Sequence, residues 1–302
     1  MDGFVFINKP AGPTSFAVVK HVRSFCKRCK IGHAGTLDPA ASGLLIIALG
    51  KATRLLEFLP TEPKFYTFIV RFGSVTDTLD TEGVVTHTGG RIPGEDEIRS
   101  ILPRFLGKQM QTPPRFSALK VQGERAYDLA RENKDFSLAP RPVTIHSLSC
   151  DAFRLDKGEA LCTLSCSKGT YVRSIVRDIG EALGTFAHAS GICRTAIGPF
   201  SLNQAIAFNA INLATLKTIV PIKTMFGKCP QTILNTAQKD ALSCGKSIPL
   251  PINVETGGMV FAFDEKDNIV AALVKKDKGT FHPVKVFAHI AVMERNPSEP
   301  ST

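Results

Sequence analysis

The chain has 302 residues, 43% of them hydrophobic and 21% charged, with a mean hydropathy of +0.05, which is too apolar for a disordered chain and too polar for a bundle of membrane spans. Thirty-seven Lys and Arg against 27 Asp and Glu leave a net charge of +10, which favours a polyanionic partner. The apolar run Leu44 to Leu49 is far shorter than the roughly 20 residues a membrane helix needs, and no basic leader precedes the first apolar stretch. The expectation is therefore a cytoplasmic protein without membrane association, its eight cysteines reduced.

Phe4 to Asn8 reads as a strand, and Pro13-Thr14-Ser15 as the start of a helix. Along that helix Lys20, Arg23, Lys27 and Lys30 recur at steps of three and four, with Phe16, Val19, Val22 and Cys26 on another stripe. Two readings of the basic row stand side by side: a solvated surface, or a face that meets phosphates. A loop is expected over Ile31 to Ser42. Lys64 to Gly73 has strand composition, and Gly94 to Leu106 has apolar residues at helical spacing. Val143 to Leu155 and Ala160 to Ser165 read as strands, while Tyr171 to Leu183 and Ser201 to Phe208 read as helices. Strands and helices do not alternate regularly, so the pattern predicts an α+β fold around a mixed, largely antiparallel sheet.

Residues 229–302 carry 8 basic and 8 acidic side chains, so the whole excess, 29 basic against 19 acidic, sits in residues 1–228. Within the neutral part, Met259 to Phe263 and Ile269 to Val274 flank the polar run Asp264 to Asn268, as a β-hairpin would. A small β-rich second domain over 229–302 follows, ending in a frayed tail from Asn296.

Cys26-x-x-Cys29, with His33 as a distant third ligand, lacks the second close pair of a zinc site, and no phosphate-binding loop, dinucleotide fingerprint or HExxH helix occurs. No metal and no cofactor is expected. The run Gly32-His33-Ala34-Gly35-Thr36-Leu37-Asp38-Pro39-Ala40-Ala41-Ser42-Gly43 has three glycines for tight turns and a proline that biases Asp38 away from helical geometry. Asp38 suits either a presented nucleophile or base, or a carboxylate that caps a turn. Against 20 Phe the chain spends only three Tyr, at 66, 127 and 171, of which Tyr66 and Tyr171 suit either stacking on a base or a hydrogen-bonded core phenol. Arg173 is a candidate counter-ion for a partly buried carboxylate.

These residues resemble, in order along nearly the whole chain, the bacterial TruB family of tRNA pseudouridine-55 synthases. The resemblance rests on Asn8-Lys9-Pro10 with Gly12, Thr14 and Ser15; on the Gly32 to Gly43 run; on Tyr66 with Gly73, Thr76-Asp77-Thr78 and Asp80; on Pro113-Pro114 with Ser117-Ala118 and Lys120; and on Ser167-Lys168-Gly169-Thr170-Tyr171 with Arg173. It implies isomerisation of a T-loop uridine of tRNA, without cofactor, metal or guide RNA, by a monomer. Asp38 would be the nucleophile, adding to C6 of the uracil or attacking C1′ of the ribose. Tyr66 would stack on the base and assist deprotonation at C5, and Arg173 would pair with Asp38. His33, Tyr171 and Ile192 match substrate-contacting positions, with Lys20, Arg23, Lys27, Lys30, Lys120 and Arg194 as candidate RNA contacts. Lys9, Pro10 and Gly35 match structural positions. Residues 113–133 match an inserted thumb that closes on the T-loop, and the neutral end a PUA-like domain reaching the acceptor side. The chain departs from the family at Ile192-Cys193-Arg194-Thr195-Ala196, where Cys193 and Ala196 replace usual arginines, and at Phe116, which replaces a common Tyr. A catalytically silent tRNA-binding protein or tRNA-folding chaperone on the same scaffold is the rival reading; a guide-dependent relative and a base-excising glycosylase are others.

Overall fold

The computed structural model describes residues 1–26, 28–277 and 279–287. By contact density the chain divides into two compact units, one formed by Val5–Ile47 and Phe58–Lys217, the other by Met1–Phe4, Ala48–Glu57 and Thr218–Thr302. No helix among the described residues is long and apolar enough to cross a membrane.

The larger unit is organised by a ten-stranded mixed sheet. Its strands begin with β1 (Gly3–Lys9), β2 (Ile31–Ala34), β3 (Ser42–Leu49) and β4 (Lys64–Phe72), and a small β5–β6 hairpin (Ser74–Thr76, Val85–Thr88) lies outside it. Next come β7 (Gly107–Gln111), a short β8–β9 hairpin (Lys120–Val121, Glu124–Arg125), and the long pair β10 (Arg141–Arg154) and β11 (Glu159–Cys166). The strands β12 (Ala187–Ile197), β13 (Phe200–Ser201) and β14 (Ile206–Ala207) complete it, giving the order β14-β1-β3-β12-β4-β11-β10-β7. The pairs β1–β14 and β3–β12 are parallel, while β12–β4, β4–β11, β11–β10 and β10–β7 are antiparallel. The α+β class with a largely antiparallel sheet is thus the observed one.

Strand β4 shows why one sheet face is core. Tyr66, Phe68, Val70 and Phe72 alternate inward while Arg71 stays exposed. Helix α2 (Glu95–Ile101) covers that face with Ile98 and Ile101, and the 3₁₀ turn Leu102–Phe105 continues it. Between α2 and the next long helix stands α3 (Ala126–Arg131). Helix α4 (Val172–Ala182) adds Val172, Ile175, Val176 and Ile179, at spacings of three and four.

Helix α1 (Ser15–Phe25) starts where Thr14 accepts a 3.0 Å hydrogen bond from the amide of Ala17. It stops at Phe25, so Lys30 lies beyond it and the basic row is not one helix face; Lys27 lies outside the described residues. Its buried stripe is Ser15, Val18, Val19 and Val22, whereas Phe16 is 56% exposed beneath the Lys20 ammonium. Two further expectations are corrected. The segment Ile31–Ala34 is a strand rather than loop, because β3 offers it a hydrogen-bonding edge. Ser201 to Phe208 is not a helix: the Ser201–Gln204 capping box closes a single 3₁₀ turn, and Ile206–Ala207 pairs with β1. Cys150 and Cys162 sit opposite each other on β10 and β11 with their sulfurs in contact, a pairing that the sequence reading of the eight cysteines did not include.

The second unit has the short helices α5 (Ile222–Met225) and α6 (Thr236–Ser243), with Asn235 and Gln238 forming a capping box on α6. Its sheet comprises β15 (Gln231–Ile233), β16 (Ile248–Pro249), β17 (Met259–Phe263), β18 (Ile269–Lys275) and β19 (Thr280–Val286), in the order β15-β17-β18-β19-β16. The expected hairpin is β17–β18. Asp264 Oδ1 accepts from the amides of Lys266 and Asn268 and so sets its turn.

Candidate active site

Two buried cations hold the Gly32–Gly43 segment in place. Lys9, at the end of β1, is fully buried, and its ammonium donates to the carbonyls of Pro10 (2.8 Å), Pro13 (2.8 Å) and Pro39 (3.1 Å). Burial pushes this ammonium down to about 8. Arg194, from β12, is also fully buried and donates to the carbonyls of Leu44 (2.9 Å), Gly35 (3.0 Å) and Thr36 (3.3 Å). Ser15 adds a reciprocal clasp, its hydroxyl 3.0 Å from the carbonyl and 2.9 Å from the amide of Leu37. Gly43 has φ +105°, and a Cβ there would stand 2.4 Å from the Arg194 carbonyl, so β3 and β12 can approach only at glycine. Gly35, at φ +73°, turns the chain beneath the same guanidinium. Asp38 thus emerges from a loop whose carbonyls on both sides are anchored. Exchanging Lys9 for Met takes a donor from three carbonyls, of which that of Pro39 keeps the Gly12 amide (2.9 Å), and leaving those of Pro10 and Pro13 without a partner costs about 1–3 kcal/mol each where water cannot reach them. A lowered thermal midpoint together with slower turnover is the expected result; an unchanged midpoint would mean that water replaces the ammonium.

The Asp38 carboxylate meets a guanidinium that is itself held from four sides. Arg173, in the first turn of α4, places one nitrogen 2.7 Å from Asp38 Oδ2 and another 3.5 Å from Asp80 Oδ2. It also donates to the carbonyls of Thr78 (2.7 Å) and Phe116 (3.0 Å). The Arg173 side chain is 4% exposed and that of Asp38 37%, so the carboxylate keeps an open side. Asp80 is buried in turn, and its Oδ1 accepts from the Thr78 hydroxyl (2.7 Å) and the Glu82 amide (3.0 Å). Sequence reasoning gave Asp80 no role. The acid-and-hydroxyl turn Thr76-Asp77-Thr78-Leu79-Asp80 was its only local signal.

A cleft of about 230 Å³ opens beside this pair, lined by Thr36, Leu37, Asp38, Ala41, Lys64, Tyr66, Ala118, Gly169, Thr170, Tyr171, Val172, Arg173 and Ile192. Asp38, Tyr66, Arg173, Tyr171 and Ile192, five of the residues singled out from sequence, therefore share one cavity. Burial raises the Tyr66 phenol above its ordinary range, partly opposed by the Arg194 guanidinium, so a neutral hydroxyl faces the cleft. Tyr171 is fixed by its backbone, whose amide donates to Gln111 Oε1 (2.8 Å) and whose carbonyl accepts from Gln111 Nε2 (3.1 Å). Burial raises its phenol as well. His33 is on β2 and does not line the cavity. Its Nδ1 is buried without a hydrogen-bond partner, and burial, then the charge of Arg194, lowers the ring below the usual range.

The basic residues divide. Lys20, Arg23, Lys30 and Lys120 are exposed, Lys120 on the β8–β9 hairpin. Arg194 is not on the surface at all: it spends its donors on the Asp38 loop, which is the position of a support and not of a phosphate contact. Pro10 is exposed, its carbonyl bound by Lys9. Among the described residues no cluster of three or more His, Cys, Asp or Glu could hold a metal, and Cys26 is buried at the end of α1. The arrangement offers an oriented carboxylate with one face free, beside a narrow slot walled by aromatic and aliphatic groups. Such a slot takes a planar ring edge-on to a nucleophile.

A family profile described as TruB family pseudouridylate synthase (N terminal domain) matches residues 23–172. The chain is 39% identical to tRNA pseudouridine synthase B of Dinoroseobacter shibae, with 97% of each chain covered. It is also 39% identical to the protein of that name from Caulobacter vibrioides, over 95% of this chain and 96% of the other. A chain of a solved Cbf5-Nop10-Gar1 complex shares the fold with a TM-score of 0.68 at 26% identity, over 95% of this chain and 84% of that one. A chain of an H/ACA RNP bound to a substrate RNA containing 2′-deoxyuridine does so with a TM-score of 0.69 at 24% identity, over 95% and 85%. Loop aspartate, paired arginine and sheet tyrosine thus sit in a fold shared with those proteins, and the chain belongs to the TruB family of pseudouridylate synthases. It is an RNA-modifying isomerase.

Proposed function

We propose that this chain isomerises the T-loop uridine of tRNA to pseudouridine with Asp38 as the nucleophile, acting as a monomer in the cytoplasm without a guide RNA. The observation that carries the reading is the 2.7 Å pairing of Asp38 with a buried Arg173 at the wall of the cleft floored by Tyr66. The target uridine flips out of the T-arm, at a cost of a few kcal/mol, and stacks on Tyr66 between Ile192 and Tyr171. The carboxylate then adds to C6 of the uracil or attacks C1′ of the ribose. By either route the N1–C1′ bond breaks, the ring turns, a C1′–C5 bond forms, the bond to Asp38 breaks and returns the free carboxylate, the C5 proton leaves and N1 gains one. Arg173 keeps the carboxylate aimed, and the Tyr66 hydroxyl stands where the C5 proton departs. Residues 1–228 form the catalytic domain, with 113–133 as a thumb on the T-arm, and 229–302 add contacts to the acceptor side. Exposed Lys20, Arg23, Lys30 and Lys120, with Lys27, supply phosphate contacts. His33 stacks on RNA displaced near the target.

Incubating the protein with an unmodified tRNA transcript and mapping pseudouridine tests the assignment: modification confined to the T-loop is expected, and modification elsewhere overturns it. Tyr66→Phe keeps the stacking ring and removes only the hydroxyl, so binding is retained while most of the rate is lost. Wild-type turnover in that variant would leave Tyr66 a stacking residue alone.

A further inference from the structure

The cleft holds a second, differently placed cation. Lys64 opens β4 two residues before Tyr66 and therefore projects from the same face of the sheet, about 7 Å along the strand. Its side chain lies against the Asp38 loop, where a Cβ added at Gly35 would stand 3.3 Å from Nζ. Unlike Lys9, which gives its donors to three carbonyls, Lys64 Nζ has no ion pair and no side-chain hydrogen bond among the described residues. The nearest charges compensate it only in part: Arg194 and Lys168 repel it, while Glu62 attracts it but is shared with Lys168 at 3.6 Å. Burial, followed by the charge of Arg194, pushes the ammonium down to about 8. A half-buried cation with no ion pair of its own among the described residues is better matched once something anionic enters the cleft.

We propose that Lys64 binds a backbone phosphate flanking the flipped uridine, an anion subsite in the same cleft as Asp38. The inference rests on the RNA-modifying reading above. With the target base over Tyr66, the formal charges an RNA nucleotide can bring to this end of the cleft are its phosphodiesters; the uracil carbonyls are neutral. The separation of Lys64 from Tyr66 along β4 is comparable with the span from a base to a phosphate of the same nucleotide. The pair Lys64 and Tyr66 then reads one flipped nucleotide at two points, charge and ring.

The test is a binding cycle on RNA hairpins of the T-arm, with the linkage on either side of the target uridine made neutral, in turn, as a methylphosphonate. One of the two neutral linkages is expected to weaken binding to the wild-type protein about tenfold, and to leave Lys64→Gln and Lys64→Met changed by less than about twofold. Lys64→Arg should keep the sensitivity. With unmodified RNA, both neutral variants should lower the slope of log K against log[salt] by about 0.7 to 0.9. Because the ammonium has no ion pair or hydrogen bond to lose among the described residues, Lys64→Gln should melt no lower than wild type, which separates lost contact from lost fold. If losses from protein and RNA changes simply add at both linkages while wild-type protein still forms pseudouridine in the unmodified hairpin, the Lys64 assignment alone fails. If the wild-type protein forms none, the functional reading fails and takes this assignment with it.

Discussion

Asp38→Asn leaves RNA affinity within about twofold of wild type and removes turnover by more than about a thousandfold. The amide has the shape of the carboxylate but does not form the covalent bond on which the rearrangement depends. Its effect on the fold is small, because Asp38 is at the half-open end of the ion pair and exposed pairs contribute about 0–1 kcal/mol. The guanidinium loses one of its partners and keeps Asp80 and the carbonyls of Thr78 and Phe116. Release of the C5 hydrogen as tritium from labelled tRNA, under single-turnover conditions, reads the chemistry directly. Residual release within a hundredfold of wild type would remove Asp38 from the role of nucleophile.

Arg173→Met is expected to damage both stability and activity. Asp38 can turn to solvent when its partner is gone, but Asp80 is buried and would be left as a charge without a cation. Breaking a buried pair from one side costs about 3–5 kcal/mol. The carbonyls of Thr78 and Phe116 lose their donor at the same time. A fall of that size in the urea-unfolding free energy is the expected measurement, with turnover lost alongside. The double variant Arg173→Met/Asp80→Asn separates the two effects. Neutralising the stranded carboxylate should recover a substantial part of the stability and none of the turnover, since Asp38 is still unheld. Full stability in the single variant would show that water enters and solvates Asp80.

The Asp38–Arg173 pair illustrates how much was legible in the chain itself. The Gly32–Gly43 run marks a special loop by its glycines and its Asp-Pro step, and Tyr171 to Leu183 announces a helix by apolar spacing, so both partners could be named separately. The residues that make the pair rigid could not. Arg194 anchors the loop from 159 residues away in the chain, and from sequence it read as an RNA contact. Its own strand, β12, escaped notice because Gly191 bulges it and shifts its register between Ser190 and Cys193, which breaks the alternation that identifies a strand. Asp80 carries no sign of its role until the fold buries it against Arg173, and Lys9, which the family resemblance marks as structural, finds its three carbonyl partners only in the fold.

What the sequence by itself determined were features that close within a few residues. Among these are the Thr14 cap of α1, the i, i+3, i+4 core stripe of α4, the alternation in β4, the Asp264 turn between β17 and β18, and the Asp38 loop. Their signals are local because capping, helical periodicity and turn chemistry depend on neighbours in the chain. Tertiary structure decided the rest. It ended α1 at Phe25 and split the basic row, and it turned Ile31–Ala34 and Ile206–Ala207 into strands by offering them the edges of β3 and β1. It also set Cys150 opposite Cys162 and left Lys64 in the cleft with no ion pair among the described residues. A backbone edge, a burial and a charge balance are properties of groups brought together from distant parts of the chain, and no local pattern of residue types encodes which distant group arrives.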